Sequence, residues 1–82
     1  CSAKQKFARF IISLTTRYKK RDIAPNQYKL VMTRADIGNY LGVSKETISR
    51  LIKLFNDNNI LSVKNNFVNV KNEEKLYEIA NI

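Results

Sequence analysis

Residues 34–53 hold the pattern that most restricts the fold of this chain: a short helix, a glycine turn and a longer helix. Thr33 is a good N-cap for the short helix, and Asp36 stands three residues later, as in a capping box. Gly38 is small where the two helices would cross, and Gly42 can adopt the left-handed conformation that the turn requires. Together these residues predict a helix-turn-helix.

The segment before this pattern predicts a helix and a strand. Apolar residues recur at steps of three and four over residues 3–21, which indicates an amphipathic helix. Pro25 prevents that helix from continuing, and the alternation of apolar and polar residues from Tyr28 to Met32 is typical of a short strand.

The segment after the helix-turn-helix predicts a hairpin and a last helix. Residues 60–64 and 67–71 are β-prone and flank Asn65 and Asn66, which tolerate the positive φ angles of a tight turn. This is the pattern of a two-stranded wing. Asn72 is a good N-cap for the short helix that follows.

The size of the chain allows one small domain. With 82 residues, 44% of them hydrophobic, it can form a single core, so we predict one winged helix-turn-helix domain over residues 1–82, mainly α with a small β component. Met32 is the only methionine and the chain opens at Cys1, at the start of the first predicted helix, so we expect a fragment of a longer protein. Four phenylalanines are expected to lie in the core: Phe7, Phe10, Phe55 and Phe67.

The charge favours a polyanionic partner. Fifteen Lys and Arg against seven Asp and Glu give a net charge of +8, and nucleic acid is the leading partner class. The chain has no histidine, one cysteine and scattered carboxylates, so we predict no metal site, no cofactor and no enzyme activity in this domain. No apolar run could span a bilayer and no signal peptide opens the chain, so we expect a cytoplasmic protein without a membrane partner.

The helix predicted over residues 44–58 has one polar face suited to the edges of DNA bases. Glu46, Ser49, Arg50 and Lys53 lie opposite its apolar stripe. Arg can donate two hydrogen bonds to guanine, Glu can accept one from cytosine, and Ser can serve several bases. Alternatively, Glu46 and Arg50 form only a surface ion pair, worth roughly 0.3 to 0.5 kcal/mol. We favour contact with bases. In the free protein, the side chains of Glu46 and Arg50 would also orient each other.

Residues on the rim of this polar face are predicted to contact DNA phosphates. They are Arg34, Ser44, Thr47, Lys53 and Lys64. Other basic residues are expected to be solvated surface groups. They are Lys4, Lys19, Lys20, Arg21, Lys71 and Lys75.

Two other functions remain open for a basic winged helix. One is protein interaction, in which the polar face meets an acidic partner; the glutamate at the centre of that face argues against it. The other is non-specific nucleic-acid binding. A single-strand platform needs exposed aromatic residues, and the four phenylalanines are assigned to the core.

The string Thr33-Arg34-Ala35-Asp36-Ile37-Gly38-Asn39-Tyr40-Leu41-Gly42, with Glu46-Thr47-Ile48-Ser49-Arg50-Leu51 after it, resembles the DNA-binding domain of the Crp/Fnr family, and most of all its Fnr branch. The resemblance covers nearly the whole chain. It implies that an upstream β-roll sensor and a dimerisation helix belong to the full protein, and that a homodimer reads a palindrome.

The resemblance also assigns roles to particular residues. Glu46, Ser49 and Arg50 take the base-reading positions and match a preference for a TTGAT half-site. Lys45 stands where the Fnr branch usually has Val, so it adds a base or phosphate contact. Residues 23–28 fall where family members offer a surface to RNA polymerase, although a plain connection would look the same. An iron-sulfur cluster or other ligand would belong to the sensor domain, whose signal these residues do not specify.

Overall fold

The computed structural model describes residues 2–20 and 27–82, and their side chains except those of residues 19 and 20. Over these residues the chain forms helices α1 (Ala3–Lys20), α2 (Arg34–Leu41), α3 (Lys45–Asp57) and α4 (Glu73–Ala80), and strands β1 (Gln27–Lys29), β2 (Leu61–Lys64) and β3 (Phe67–Val70). This is the predicted winged helix-turn-helix. Cys1, Arg21, Pro25 and most of the predicted 23–28 contact segment lie outside the described residues.

A single core joins the helices to the inner face of the sheet. The rings of Phe7 on α1 and Phe55 on α3 lie 5.4 Å apart and are fully buried. The largest side chains enclosed with them come from every helix and from the hairpin: Ile11, Ile37, Ile48, Leu61, Val68 and Leu76. The position of α3 is therefore determined by contacts with α1, α2 and β2.

The predicted caps of α2 are present. The Thr33 hydroxyl accepts a hydrogen bond from the backbone N–H of Asp36 at 3.1 Å, and the Asp36 carboxylate accepts one from the backbone N–H of Thr33 at 3.2 Å. At the other end Gly42 has φ 77°, and its N–H donates to the Gly38 carbonyl. The turn between α2 and α3 therefore has the left-handed residue that the sequence predicts.

The wing is larger than predicted. Its hairpin turn is formed by Asn65 and Asn66, at φ 52° and 65°, as expected. However, β1 pairs with β3, so the antiparallel sheet has the strand order β1-β3-β2 instead of two strands. The pairing joins segments about 40 residues apart, which local alternation does not reveal.

The strand predicted from Tyr28 to Met32 is shorter, because regular pairing ends at Lys29. The next N–H, of Leu30, donates to the carbonyl of Asn66 at the hairpin turn, at 2.6 Å. Val31 is then 84% exposed. The partner strand turns at Asn66, so no backbone remains to extend the ladder.

Phe67 is not in the core, contrary to the prediction, whereas Phe7, Phe10 and Phe55 are. Its side chain is 55% exposed. Successive residues of a strand face opposite sides of the sheet, and the next residue, Val68, takes the buried side. Three of the four phenylalanines are therefore in the core and cannot contact nucleic acid, whereas Phe67 is exposed and can.

Candidate nucleic-acid interface

Helix α3 has one buried side and one polar side. Ile48 and Phe55 are fully buried, and Leu51 and Ile52 are at most 8% exposed. Ser44 begins the helix, since its hydroxyl accepts from the backbone N–H of Thr47 at 3.1 Å. The apolar stripe determines which residues turn outward.

Gly38 determines how closely α2 approaches the start of α3. A Cβ atom at this position would lie 2.5 Å from the Val43 carbonyl oxygen and 3.2 to 3.3 Å from backbone atoms of Ser44 and Lys45. Any side chain would therefore push α2 away from the turn. The small residue holds the two helices at the angle that presents the polar side of α3.

The structure brings the five polar residues predicted on α3 onto one exposed surface, here called the α3 polar face: Lys45, Glu46, Ser49, Arg50 and Lys53. The face combines one acceptor, one hydroxyl and three cations. It has the chemistry to hydrogen-bond base edges and to attract phosphates.

The predicted Glu46–Arg50 pair is not formed. Among the described residues, Arg50 instead donates from Nη2 to the Thr47 hydroxyl at 3.2 Å. The Thr47 hydroxyl also lies 3.0 Å from that of Ser44. Arg50 thus finds a partner one turn back, on the N-cap network, and Glu46 is left to solvent. This arrangement orients the guanidinium without neutralising it.

Lys53 has a carboxylate partner. Its Nζ lies 3.2 Å from Asp57 Oδ2, one turn on along the helix, and both side chains are largely exposed. An exposed pair of this kind stabilises the helix by about 0.3 to 0.5 kcal/mol. Such a weak partner can be exchanged for a phosphate, so the predicted phosphate role of Lys53 stays a prediction.

The other predicted phosphate residues differ in whether their side chains already have partners. Arg34 is the exposed first residue of α2, and Lys64 is the exposed last residue of β2. The Ser44 hydroxyl caps α3, and the Thr47 hydroxyl is hydrogen-bonded to it. The two cations are therefore free to move toward a phosphate, whereas the two hydroxyls contribute through the helix start that they stabilise.

Other basic residues serve the fold or lie in solvent. Arg9 Nε donates to the Ala80 carbonyl at 2.9 Å and Lys6 Nζ to the Leu41 carbonyl at 3.4 Å, where each satisfies the end of a helix. Exposed surface lysines include three that were predicted to be solvated: Lys4, Lys71 and Lys75.

Two exposed residues of the sheet were missed by sequence reasoning. Lys29 and Phe67 are directly opposed in the sheet and both are exposed. The alternation around Tyr28 indicated that Lys29 faces outward, but the pairing with β3 was not predicted. The only local sign that Phe67 would be exposed was its position next to the Asn65–Asn66 turn.

The described residues show no arrangement for metal chemistry or for a membrane span. Within residues 2–20 and 27–82, no three His, Cys, Asp or Glu side chains are grouped closely enough to hold a metal ion. None of the described helices is both long enough and apolar enough to cross a bilayer.

Known proteins are similar to this chain over nearly its whole length. Residues 5–79 match the family model of the Crp-like helix-turn-helix domain. The fumarate and nitrate reduction regulatory protein of Yersinia pestis is 46% identical over 79 residues, 96% of this chain and 32% of the relative. That of Vibrio cholerae is 43% identical over 81 residues, 99% of this chain and 32% of the relative. The chain thus spans about a third of the length of these relatives.

Solved structures have the same fold. FixK2 from Bradyrhizobium japonicum has a TM-score of 0.84 at 26% identity, covering 95% of this chain and 38% of that chain. The CO-dependent transcription factor CooA from Carboxydothermus hydrogenoformans has a TM-score of 0.79 at 24% identity, covering 96% and 37%. The two relatives from Yersinia pestis and Vibrio cholerae carry the names of regulatory proteins, in agreement with the prediction that this domain is not an enzyme.

Proposed function

Because the chain belongs to the Crp/Fnr family through its Crp-like helix-turn-helix domain, we propose that it binds specific sequences of double-stranded DNA as part of a transcription regulator. In this proposal α3 enters the major groove and the hairpin lies along the backbone. The domain works without catalysis and without a cofactor of its own. Its place of action is the cytoplasm, where bacterial DNA lies.

The observation that carries the proposal is the α3 polar face, which a tightly packed helix pair holds in a fixed position. An arginine oriented by Thr47 can donate two hydrogen bonds to the O6 and N7 atoms of guanine. Glu46, with no partner among the described side chains, can accept from a cytosine amino group. A surface that only attracted acidic proteins would gain nothing from this glutamate.

The half-site that we propose is TTGAT, read by Glu46, Ser49 and Arg50. The basis is the Fnr-like arrangement of these three residues, together with the 46% and 43% identity to the fumarate and nitrate reduction regulators. Lys45 is the exposed first residue of α3 and adds a contact at the outer bases or their phosphates.

We propose a homodimer for the full-length protein and a monomer for this domain alone. Two α3 helices would then read the halves of a palindrome in successive major grooves. Linking two half-sites raises affinity through effective concentration, so the isolated domain binds its half-site weakly.

A contact with RNA polymerase through residues 23–28 forms part of the proposal. Only residues 27 and 28 of this segment are described, and Tyr28 is buried. The contact requires that substitutions in residues 23–26 abolish promoter activation while DNA binding is unchanged. Activation that survives those substitutions removes this part of the proposal.

The experiment that tests the function is fluorescence anisotropy of the domain fused at its N-terminus to a dimeric coiled coil. One duplex carries TTGAT and its inverted repeat, and a second has the guanine pair replaced, both at about 0.15 M salt. We expect tighter binding to the first duplex. Equal binding to both contradicts the half-site and favours non-specific binding, and no binding to either contradicts the function.

Two substitutions separate base contacts from phosphate contacts. Arg50→Ala should cost roughly 1 to 3 kcal/mol on the TTGAT duplex and abolish the preference for guanine. Lys64→Ala should weaken binding to both duplexes alike and lower the salt slope by about one per subunit. If both variants lose affinity equally on both duplexes, Arg50 does not read a base.

A further inference from the structure

We propose that Lys29, Phe67 and Lys64 form one binding site for the sugar-phosphate backbone of duplex DNA. These three residues are called the wing row. The site rests on the proposed function and adds to it a contact made by the outer face of the sheet, in which β1 takes part as well as the hairpin.

The sheet register places the three side chains side by side. Phe67 on β3 is paired with Lys29 on β1 and with Lys64 on β2. Residues directly opposite in an antiparallel sheet point to the same face, and the residues one step along, Tyr28 and Val68, are buried on the other face. The wing row therefore points outward as one unit, with an aromatic ring between two ammonium groups.

The spacing suits a DNA strand. Neighbouring strands lie roughly 4.8 Å apart, which puts the backbones of Lys29 and Lys64 about 10 Å from each other, on either side of Phe67. Extended lysine side chains can then reach different phosphates of one strand, and the ring is left opposite the deoxyribose between them. Phosphate and sugar together offer the charge and the apolar surface that the wing row complements.

The charged residues on the described outer face of the sheet are all positive. Among the described residues neither lysine has a carboxylate within salt-bridge distance, whereas Lys53 does. The adjoining outward row consists of Gln27, Asn69 and Ser62, which donate and accept hydrogen bonds but carry no negative charge. Among the described residues of the sheet, none on this face carries a charge that would repel an anionic partner.

The wing row adjoins a part of the domain already assigned to the DNA side. The hydrogen bond from Leu30 N–H to the Asn66 carbonyl ties the wing turn to the segment that leads into α2. Arg34, a predicted phosphate residue, is the first residue of that helix. A backbone that passes Arg34 can thus continue past the wing row, which extends the footprint beyond the bases read by α3.

The exposure of Phe67 is the feature that a solvated lysine pair does not explain. Phe67 is 55% exposed beside a hairpin turn, although a polar residue at this outward position would serve the fold equally well. Contact with deoxyribose would remove its apolar surface from water and supply a sequence-independent term.

The test uses the 82-residue chain and follows duplex affinity between about 50 and 200 mM salt. Lys29→Gln should weaken binding to every duplex alike and lower the salt slope by about one. Phe67→Ala should weaken binding several-fold with the slope unchanged, and Phe67→Tyr should restore it. Lys75→Gln, on α4, is the matched control, because it removes the same charge from an exposed lysine outside the wing row.

Thermal unfolding of each variant shows that it is folded, since all three residues are exposed and their replacement should leave the melting temperature nearly unchanged. If Lys29→Gln and Lys75→Gln reduce the slope equally, the wing row makes no contact and only net charge matters. The guanine preference that depends on Arg50 would remain in that case, so the proposed function would survive. If the coiled-coil dimer of the chain also binds no duplex, both proposals are overturned.

Discussion

The crossing of α2 and α3 at Gly38 allows a quantitative prediction for Gly38→Ala. The new Cβ would lie 2.5 Å from the Val43 carbonyl oxygen, closer than nonbonded contact allows. The atoms that it meets belong to the backbone of Val43, Ser44 and Lys45, so no side chain can rotate away. The turn or the helix must move as a whole.

Two terms of opposite sign determine the size of the effect. Alanine is better than glycine inside a helix by about 1 kcal/mol. Overpacking costs about 1 to 3 kcal/mol, and the upper part of that range applies where backbone has to shift. The net expectation is a loss of about 1 to 2 kcal/mol in the free energy of unfolding, or a fall in melting temperature of about 5 to 15 °C for a domain of this size.

Gly42 provides the matched control, because substitution at this position destabilises the folded domain for a different reason. Nothing lies within 4 Å of a Cβ at this position, but φ is 77°. Gly42→Ala should therefore cost about 1 to 2 kcal/mol through backbone strain alone. Asparagine tolerates this conformation, so Gly42→Asn should recover most of the loss, whereas Gly38→Asn should be worse than Gly38→Ala.

The assay is urea and thermal unfolding of the four variants, followed by far-UV circular dichroism. A Gly38→Ala variant as stable as the parent chain, or more stable, would refute the reasoning, because the helix propensity term would then outweigh the contact. If Gly38→Asn and Gly42→Asn lost equal stability, the steric clash at Gly38 and the backbone strain at Gly42 would not have been distinguished.

Two further predictions concern buried and surface hydroxyls. Burial raises the pKa of Tyr28 to about 12, so its contribution to folding is intact below pH 10 and is lost as the pH rises from 10 to 12. Tyr28→Phe should remove about 2 to 3 kcal/mol of this pH dependence in unfolding experiments, and an unchanged alkaline slope would contradict the assignment. Thr47→Val should weaken the guanine preference without altering the salt slope, because Arg50 loses its hydroxyl partner. Thr16→Val on α1 is the control, because it removes a hydroxyl that donates to a helix carbonyl far from Arg50 in sequence. If both variants weaken the guanine preference equally, Thr47 does not orient Arg50.

Much of the fold was predictable because its signals are local. Thr33, Ser44 and Asn72 each cap a helix as predicted, since a capping side chain needs only the backbone two or three residues ahead. The turn at Asn65 and Asn66 was predictable for the same reason, because both residues tolerate positive φ.

The candidate site was predictable in its residues and less so in its contacts. Helical periodicity was enough to place Glu46, Ser49 and Arg50 on one exposed face of α3. It did not indicate that Arg50 would donate to Thr47 instead of Glu46, because both partners lie within one helical turn. The rotamer of Arg50 and the positions of the neighbouring hydroxyls decide which partner Arg50 binds. Both depend on the geometry of the N-cap.

The sequence by itself determined the helix-turn-helix, the order of the elements and the basic polar face of α3, because each depends on spacing along one segment. Only the tertiary structure decided that β1 completes the sheet and that Phe67 is exposed between Lys29 and Lys64. Strand register joins residues far apart in the chain, and a shift of one residue exchanges the two faces of a strand. The same aromatic residue would lie in the core or on the surface according to that register alone.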